Sequence, residues 1–434
     1  MPSIRHFLEA RAPGEVWLFQ GQRSTTGRQI IDLGNSLLAE LREHHSSAVL
    51  SIAHDLRFLL ALASIVEEYP LQLVLGRDAD ARSQAEAYLA LDAILHPDGM
   101  FEWCAQRPVP APGEAGVLLF TSGTTGRAKL VHHSWDALIE GAFSRSLEKN
   151  RGARWLVTYQ PHSFAALQVV LSAVLSGSSL VMPERRDPNA YIEAMADHAP
   201  THISATPTFW RAFLLAAAGR TFPSIQQVSI GGEVVDQATL DRLKTAFPLA
   251  RLSHIYASSE AGSVFSVHDG AAGSPIEWLA REIHGGIRLR IRNGALEILT
   301  RRRMRAYASG HPSPVSDDGW VISGDLVEQH GDRVVFCGRT DRIVNVGGLK
   351  VSPDEIESFL LTHPDVREAQ VYSIPSPLMG QLVGARVVLD PESDQVSVLA
   401  DVRGYCVANL PPHKRPRSIE CVAHVAVSES GKKL

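Results

Sequence analysis

The stretch Thr121-Ser122-Gly123-Thr124-Thr125-Gly126-Arg127-Ala128-Lys129 follows the apolar run Val117-Leu118-Leu119-Phe120. That order reads as a strand running into a loop suited to phosphate. Gly123 and Gly126 let the backbone turn its N–H groups toward an anion, four hydroxyls (Thr121, Ser122, Thr124, Thr125) donate to phosphate oxygens, and Lys129 adds a point charge. It is not a Walker loop, which needs adjacent Gly-Lys followed by Ser or Thr, whereas Arg127-Ala128 intervene before Lys129 here. Taken alone, the stretch also fits a polar turn between two elements.

Working outward, other segments stand in an order that gives the loop a context. They are Gly231-Gly232-Glu233, Tyr256-Ala257-Ser258-Ser259-Glu260, Gly324-Asp325, Gly338-Arg339-Thr340-Asp341-Arg342, Gly347-Gly348-Leu349-Lys350-Val351 and the terminal Gly431-Lys432. Together with the loop they resemble the signature motifs of the acyl-adenylate-forming superfamily, which comprises acyl- and aryl-CoA synthetases, adenylation domains and luciferases. Ala128 stands where the family usually has proline, and Ala257 and Ser259 are conservative departures from its Tyr-Gly-x-Thr-Glu motif.

Length and composition set bounds. A chain of 434 residues with 45% hydrophobic content can bury more than one core, so at least two domains are expected. A formal charge of -5 gives no electrostatic footprint for nucleic acid. The basic run Arg301-Arg302-Arg303 reads as a solvated turn. Cys104, Cys337, Cys406 and Cys421 are far apart and form no Cys-x-x-Cys pair, which argues against a disulfide framework or a zinc site and fits a reducing cytosol. Met1 to Glu15 has no charged-then-apolar leader pattern. The apolar stretches 58–66 and 165–175 are shorter than the ~20 residues that span a bilayer, and read as buried helices.

Before the loop, 29–41 reads as a helix and 48–53 as a strand, in a region that looks short beside the family; Pro108 to Pro112 is a connector. From Lys129 to about Leu252, short apolar runs at 155–159, 179–182, 202–205, 227–230 and 251–256 alternate with amphipathic segments, as in a parallel sheet covered on both faces. Asp187 and Asp236 are expected N-caps. From Ile287 to Phe336, alternating runs joined by Arg292-Asn293-Gly294 and Gln329-His330-Gly331-Asp332 predict antiparallel hairpins. Further on, Ser352-Pro353-Asp354-Glu355 carries a capping-box pattern, and 369–374, 385–389 and 398–410 complete a compact α+β unit. The expected class is α/β: a large N-terminal domain of parallel α/β sheets plus a small antiparallel β-barrel (1–340), then a small α+β C-terminal domain (341–434).

The resemblance implies roles for particular residues. Thr121 to Gly126 and Lys129 would hold ATP phosphates, and Gly232 and Glu233 would lie along adenine. Tyr256 would stack on the base, Ser259 would reach phosphate, Asp325 would accept from both ribose hydroxyls, and Arg339 would lie near ribose and phosphate. Glu260 would carry Mg²⁺, because a carboxylate facing a polyphosphate is repelled without a metal between them. His162 would gate the acid pocket, with Ser163 and Phe164 as alternatives in register. Amino-acid-activating relatives carry an aspartate near this point, and its absence argues against an amino-acid substrate. Asp341 would be the hinge, Gly347 and Gly348 would face the thiol, and Lys432 would be the catalytic lysine, although Ala426 replaces the family's proline before it.

The activity implied is ATP-dependent conversion of an aryl or fatty carboxylic acid to an acyl-adenylate, followed by transfer to coenzyme A. The Gly-Gly-x-Lys-Val form is closer to CoA ligases than to enzymes that load the phosphopantetheine of a carrier protein. That loading activity and a nucleotide-binding homologue without turnover are the two alternatives.

Overall fold

The computed structural model describes residues 4–12, 14–66, 68–78, 80–104, 115–121, 129–143, 150–308, 310–391 and 393–426. Runs that are buried on both faces lose the polar alternation of a half-exposed strand, and such runs build the centre of the molecule. Ser179–Met182 and His202–Ala205 are buried at every position. With Arg154–Val157, Gln227–Gly231 and Arg251–Ser258 they form the parallel middle of an eight-stranded sheet. Gly262–Val267 closes one edge antiparallel, and Val16–Gln20 with Arg23–Thr26 extends the other.

A second sheet has seven strands. Ala48–Ser51, Gln72–Leu75, Ala93–Leu95 and Gly116–Thr121 run parallel in it. Lys129–His133 then folds back antiparallel on Gly116–Thr121, so that Thr121 pairs directly with Lys129. The two ends of the loop quoted above are therefore neighbours across a ladder; Ser122 to Ala128 lie outside the described residues, as does the Pro108–Pro112 connector.

Helices cover both sheets, and their starts follow the sequence signals. Thr26 and Gln29 form a reciprocal capping box on Gly27–Glu43. Asp187 accepts from Ala190 N and Asp236 from Thr239 N at the starts of Pro188–His198 and Gln237–Ala246. The apolar helices Leu56–Ile65 and Phe164–Leu175 are buried in the largest core. Among the described residues no helix is long and apolar enough to cross a membrane.

The antiparallel unit is a five-stranded sheet that runs from Ser274–Pro275 at one edge to Arg288–Arg292 at the other. Both expected hairpins are present in it, Arg288–Arg292 with Ala295–Leu299 and Val321–His330 with Arg333–Arg339. After Arg342 the chain builds a separate sheet of Val344–Val346, Leu349–Val351, Gly380–Leu389, Val366–Ser376 and Ile419–Cys421. This sheet has its own core, around Val351, Ile356 and Leu360. Gly347 and Gly348 form the two-residue turn of its first hairpin, with φ of +57° and +88°, a left-handed conformation that costs glycine least.

Two expectations are corrected. Ser352 stands at the N-cap of Pro353–Leu360 but makes no capping hydrogen bond. Its hydroxyl is instead turned toward Gly338, where an added Cβ would lie 2.3 Å away, and the carboxylate of Asp354 is drawn to Arg342 at 3.2 Å. The basic run 301–303 is not a solvated turn, because Arg302 is only 5% exposed and donates to Ser263 O. Met304 N, bonded to Glu260 O at 2.8 Å, anchors this segment against the second half of the eight-stranded sheet.

Three histidines are buried in the sheets. Burial pushes the imidazoles of His133, His202 and His254 down to about 4. An unfolded histidine titrates near ~6.5, so as pH falls the unfolded chain takes up protons first. The stability that these groups contribute is present above pH ~6.5 and is lost as pH falls toward about 4. The melting temperature is expected to be level above pH ~7 and to fall steeply below ~6, and a flat profile down to pH ~4.5 would contradict the burial of these rings.

Candidate functional site

Parallel strands deliver their ligand-facing loops at their carboxyl ends. His202–Ala205, Gln227–Gly231 and Arg251–Ser258 end side by side, and beyond them opens a cleft of about 1710 Å³. Thr121 and Lys129 reach it from the seven-stranded sheet, and Gly232, Glu233, Tyr256, Ser259 and Glu260 from the eight-stranded one. Asp325, Arg339 and Asp341 reach it from the antiparallel sheet and the turn that follows. Segments spread over 220 residues of chain thus converge on one cavity.

Asp325 and Arg339 stand opposite each other across the ladder of Val321–His330 and Arg333–Arg339. Arg339 Nη1 is 2.8 Å from Asp325 Oδ1, and its Nε is 3.2 Å from Asp341 Oδ1. The hydroxyl of Tyr256 donates to Asp325 Oδ2 at 2.5 Å. Burial pushes the Asp325 carboxyl up, against the opposing pull of Arg339 and the Tyr256 hydrogen bond. Burial would also lower Arg339, but the carboxylates of Asp325 and Asp341 hold it above its ordinary value. Tyr256, pushed well up by burial and by Asp325, keeps its proton and stays a donor. Its ring packs on Phe336 at 4.7 Å and on Phe265 at 5.2 Å between centroids.

A second cluster lies around Glu260. Tyr307 O–H donates to Glu260 Oε1 at 3.0 Å, and the Lys129 ammonium lies 5.2 Å from the centre of the Tyr307 ring. Burial and the nearby carboxylate push the Tyr307 phenol up, so it too remains a donor. Tyr307 is carried on the two-residue strand Ala306–Tyr307, which pairs with Lys129–His133. His133 holds the next turn of the site, its Nε2 bonded to Ser259 O at 2.6 Å. Among the described residues no group of three or more histidine, cysteine, aspartate or glutamate side chains is placed to hold a metal. A cation at Glu260 would thus draw its other oxygens from a ligand and water, which suits Mg²⁺ with one carboxylate and substrate phosphates.

The remaining expected residues divide. The Glu233 carboxylate is engaged with Thr208 N and Oγ1, both at 3.0 Å, where it fastens the start of the helix Pro207–Ala216. Gly232, at φ +86°, gives the cleft a bare backbone edge. His162 lines the cleft 6.1 Å from His54, and burial pushes it down to about 4, so its ring is neutral near pH 7. Its neighbour Ser163 caps Phe164–Leu175 by accepting from Ala166 N, which commits that hydroxyl. Gly347 and Gly348 do not line the cleft in this structure. Ser122, Gly123, Thr124, Thr125, Gly126 and Lys432 lie outside the described residues.

Sequence reasoning missed Tyr307, Phe336 and Thr208. The only signal for Tyr307 was its place after the basic run, and its role depends on pairing with a strand more than 170 residues earlier.

The sequence and the fold have counterparts among known proteins. Residues 41–294 match the family model described as AMP-binding enzyme, and residues 355–432 match the AMP-binding enzyme C-terminal domain. A 2-succinylbenzoate–CoA ligase of Bacillus pumilus (strain SAFR-032) is 27% identical over 336 residues, 74% of this chain and 67% of the relative. A 3,4-dihydroxybenzoate–[aryl-carrier protein] ligase of Bacillus anthracis is 26% identical over 333 residues, 74% of this chain and 72% of the relative. The solved o-succinylbenzoate CoA synthetase of Bacillus subtilis, in complex with an acyl-adenylate intermediate, superposes with a TM-score of 0.76 at 18% identity. The superposition covers 100% of this chain and 97% of that one.

Proposed function

The chain belongs to the AMP-binding enzyme family, and on that premise we propose that it is an AMP-forming acid–thiol ligase. It converts a carboxylic acid, aryl or fatty, with ATP and coenzyme A into an acyl thioester, AMP and pyrophosphate. The observation that carries this reading is the convergence of the Tyr256–Asp325–Arg339 cluster and the Glu260–Tyr307–Lys129 cluster on one cleft.

In the first half-reaction a carboxylate oxygen attacks the α-phosphorus and pyrophosphate leaves. In the second, the thiol sulfur attacks the acyl carbon, its proton passes to solvent and AMP departs. Two anions must meet in the first step, so the protein's main task is alignment and charge neutralisation. Thr121 to Gly126 and Lys129 hold the β- and γ-phosphates, and Lys432 bridges the acid carboxylate and the α-phosphate. Asp325, kept in place by Tyr256 and Arg339, accepts from the ribose hydroxyls, while Tyr256 and Gly232 flank the base. Glu233, through Thr208, keeps the adenine-side loop in position. His162, neutral at working pH, forms a wall of the acid pocket and adds no charge there. Glu260 would hold Mg²⁺, which would supply positive charge against the polyphosphate.

The chain works as two units, 1–340 and 341–434, that turn about Asp341. The turn withdraws Lys432 and brings Gly347 and Gly348 to the thiol. Two arginines of the first unit, Arg242 and Arg211, reach the second by polar contacts. Arg242 donates to Val366 O at 2.8 Å, and Arg211 Nε is 4.0 Å from Glu368. The thiol belongs to coenzyme A or, in a second reading favoured by the similarity to an aryl-carrier-protein ligase, to the phosphopantetheine of a carrier protein. Cys104, Cys337, Cys406 and Cys421 are free thiols, which supports a cytoplasmic setting.

Acid-dependent ATP–pyrophosphate exchange across aryl, short-chain and long-chain acids tests the first half-reaction. Exchange with none of them would overturn the ligase reading. Supplying coenzyme A against a phosphopantetheinylated carrier then decides the acceptor. A more local test is Asp325→Ala, which strips the Arg339 cation and the Tyr256 hydroxyl of their partner along with the ribose contact. ATP affinity is expected to fall by about 1.5–3 kcal/mol, the scale of hydrogen bonds to a charged group. Calorimetry that finds ATP binding unchanged would remove Asp325 from the ribose site.

A further inference from the structure

Arg211 and Arg242, on the helices Pro207–Ala216 and Gln237–Ala246, reach the second unit from helices that also flank the adenine-side loop. Arg242 donates to three backbone oxygens of the second unit, Val366 O at 2.8 Å, Arg367 O at 3.4 Å and Leu361 O at 3.5 Å. Arg211 is only 4% exposed and lies between two buried carboxylates. Its Nη1 is 3.2 Å from Asp236 Oδ2, and its Nε is 4.0 Å from Glu368 Oε1 on the strand Val366–Ser376. Its Nη2 donates to Thr208 Oγ1 at 3.2 Å. That hydroxyl in turn donates to Glu233 Oε1 at 3.0 Å, and Thr208 N donates to Glu233 Oε2 at 3.0 Å. Residues Gly232 to Asp236 are therefore fastened at both ends: Glu233 to the start of one helix, and Asp236 to Arg211 and to Thr239 N of the next helix. A continuous polar chain, Glu368–Arg211–Thr208–Glu233, runs from the second unit to the loop where Gly232 gives the cleft its bare backbone edge.

A polar chain couples two sites only where some element has two arrangements that both sites bias. Here that element is the second unit, docked or turned away. Building on the ligase reading, we propose that Arg211 and Thr208 link nucleotide binding at the adenine-side loop to docking of the second unit, so that each strengthens the other. While the unit is docked, Glu368 holds the Arg211 guanidinium where Nη2 meets Thr208, and the Thr208 proton is committed to Glu233. When the unit turns, Glu368 leaves with it for water, Arg211 keeps Asp236 as its carboxylate partner, and the support of Glu233 loosens. Arg242 strengthens docking through the backbone oxygens it meets. Such a coupling is reciprocal: the factor by which docking raises nucleotide affinity is the factor by which nucleotide favours docking. As a structural clasp alone, Arg211 would set stability and leave nucleotide affinity indifferent to the second unit.

The test uses AMP as the probe. In wild type, AMP is expected to slow backbone hydrogen exchange across 361–368 by roughly five- to tenfold, because opening of that segment requires undocking. Glu368→Gln keeps volume and drops the charge, and Arg242→Met removes the clamp on the backbone oxygens. Each is expected to weaken AMP binding in calorimetry by roughly five- to tenfold. Thr208→Val keeps the shape and the N–H bond to Glu233 but removes the hydroxyl that joins the chain. On that background Glu368→Gln is expected to change AMP affinity by less than about twofold, the non-additivity of connected residues. The effect of AMP on exchange at 361–368 should vanish there too. If Thr208→Val does not fold, exchange in wild type with and without AMP decides. AMP affinity unchanged in both Glu368→Gln and Arg242→Met, exchange indifferent to AMP in wild type, or Glu368→Gln acting equally with and without the Thr208 hydroxyl would each overturn the coupling alone. A wild type that binds neither ATP nor AMP overturns the ligase reading beneath it, and the coupling with it.

Discussion

Glu260→Gln is expected to lower acyl-adenylate formation by roughly 10²–10³-fold while the fold stays intact, the scale for losing one preorganised electrostatic contact. The substitution keeps volume and leaves an oxygen that can accept from the Tyr307 hydroxyl, now 3.0 Å from Glu260 Oε1. It removes the negative charge that Lys129, stacked over the Tyr307 ring, and a divalent cation would both face. The loss should therefore appear in pyrophosphate exchange and be partly relieved by raising Mg²⁺, with the melting temperature nearly unchanged. Tyr307→Phe separates charge from orientation: it keeps the carboxylate and removes its donor, so the expected fall is smaller. Normal exchange by Glu260→Gln at ordinary Mg²⁺ would show that this carboxylate is not the metal ligand.

What could be read from the sequence was whatever depends on neighbours along the chain. Ser179–Met182, His202–Ala205 and Gln227–Gly231 stood out as short, largely apolar runs between amphipathic segments, although Ser179, His202, Ser204 and Ser229 are polar residues buried within them. Asp187 and Asp236 were legible as caps because a cap needs only its own helix start. Ser352 has the same local pattern, yet its hydroxyl faces Gly338, fourteen residues back and on another sheet. Arg302 misled in the same way. A run of three arginines looks solvated until Ser263 and Glu140, distant in sequence, close over the middle one. Asp325 and Arg339 were each named from a motif, but their ion pair follows from strand register, and Tyr256 joins them from a different sheet. Residues proposed to touch a ligand carried motif signals; those that hold them in place, such as Tyr307 and Thr208, carried no motif.

Lys432→Ala is expected to divide the reaction in two. Its side chain is proposed to act only while the carboxylate attacks the α-phosphorus, so acyl-adenylate formation should fall by roughly 10²–10³-fold. Thioester formation from supplied acyl-adenylate should continue near the wild-type rate, because that step is proposed to use Gly347 and Gly348 instead. Asp341→Pro makes the complementary cut. Asp341 sits in the short turn Thr340–Arg342 between the antiparallel sheet and the C-terminal sheet, and its carboxylate accepts from Arg339 Nε. Proline fixes φ there and removes the backbone donor, which should hold the small unit in one orientation. Pyrophosphate should then be released for one turnover while thioester formation stalls. Asp341→Ala, which loses the Arg339 contact but leaves the backbone free, should retain both steps and so separates the hinge from the ion pair. Rapid-quench measurement of each half-reaction in the three variants decides the mechanism. Equal slowing of both steps by Lys432→Ala and by Asp341→Pro would rule out alternation of one small unit between two tasks.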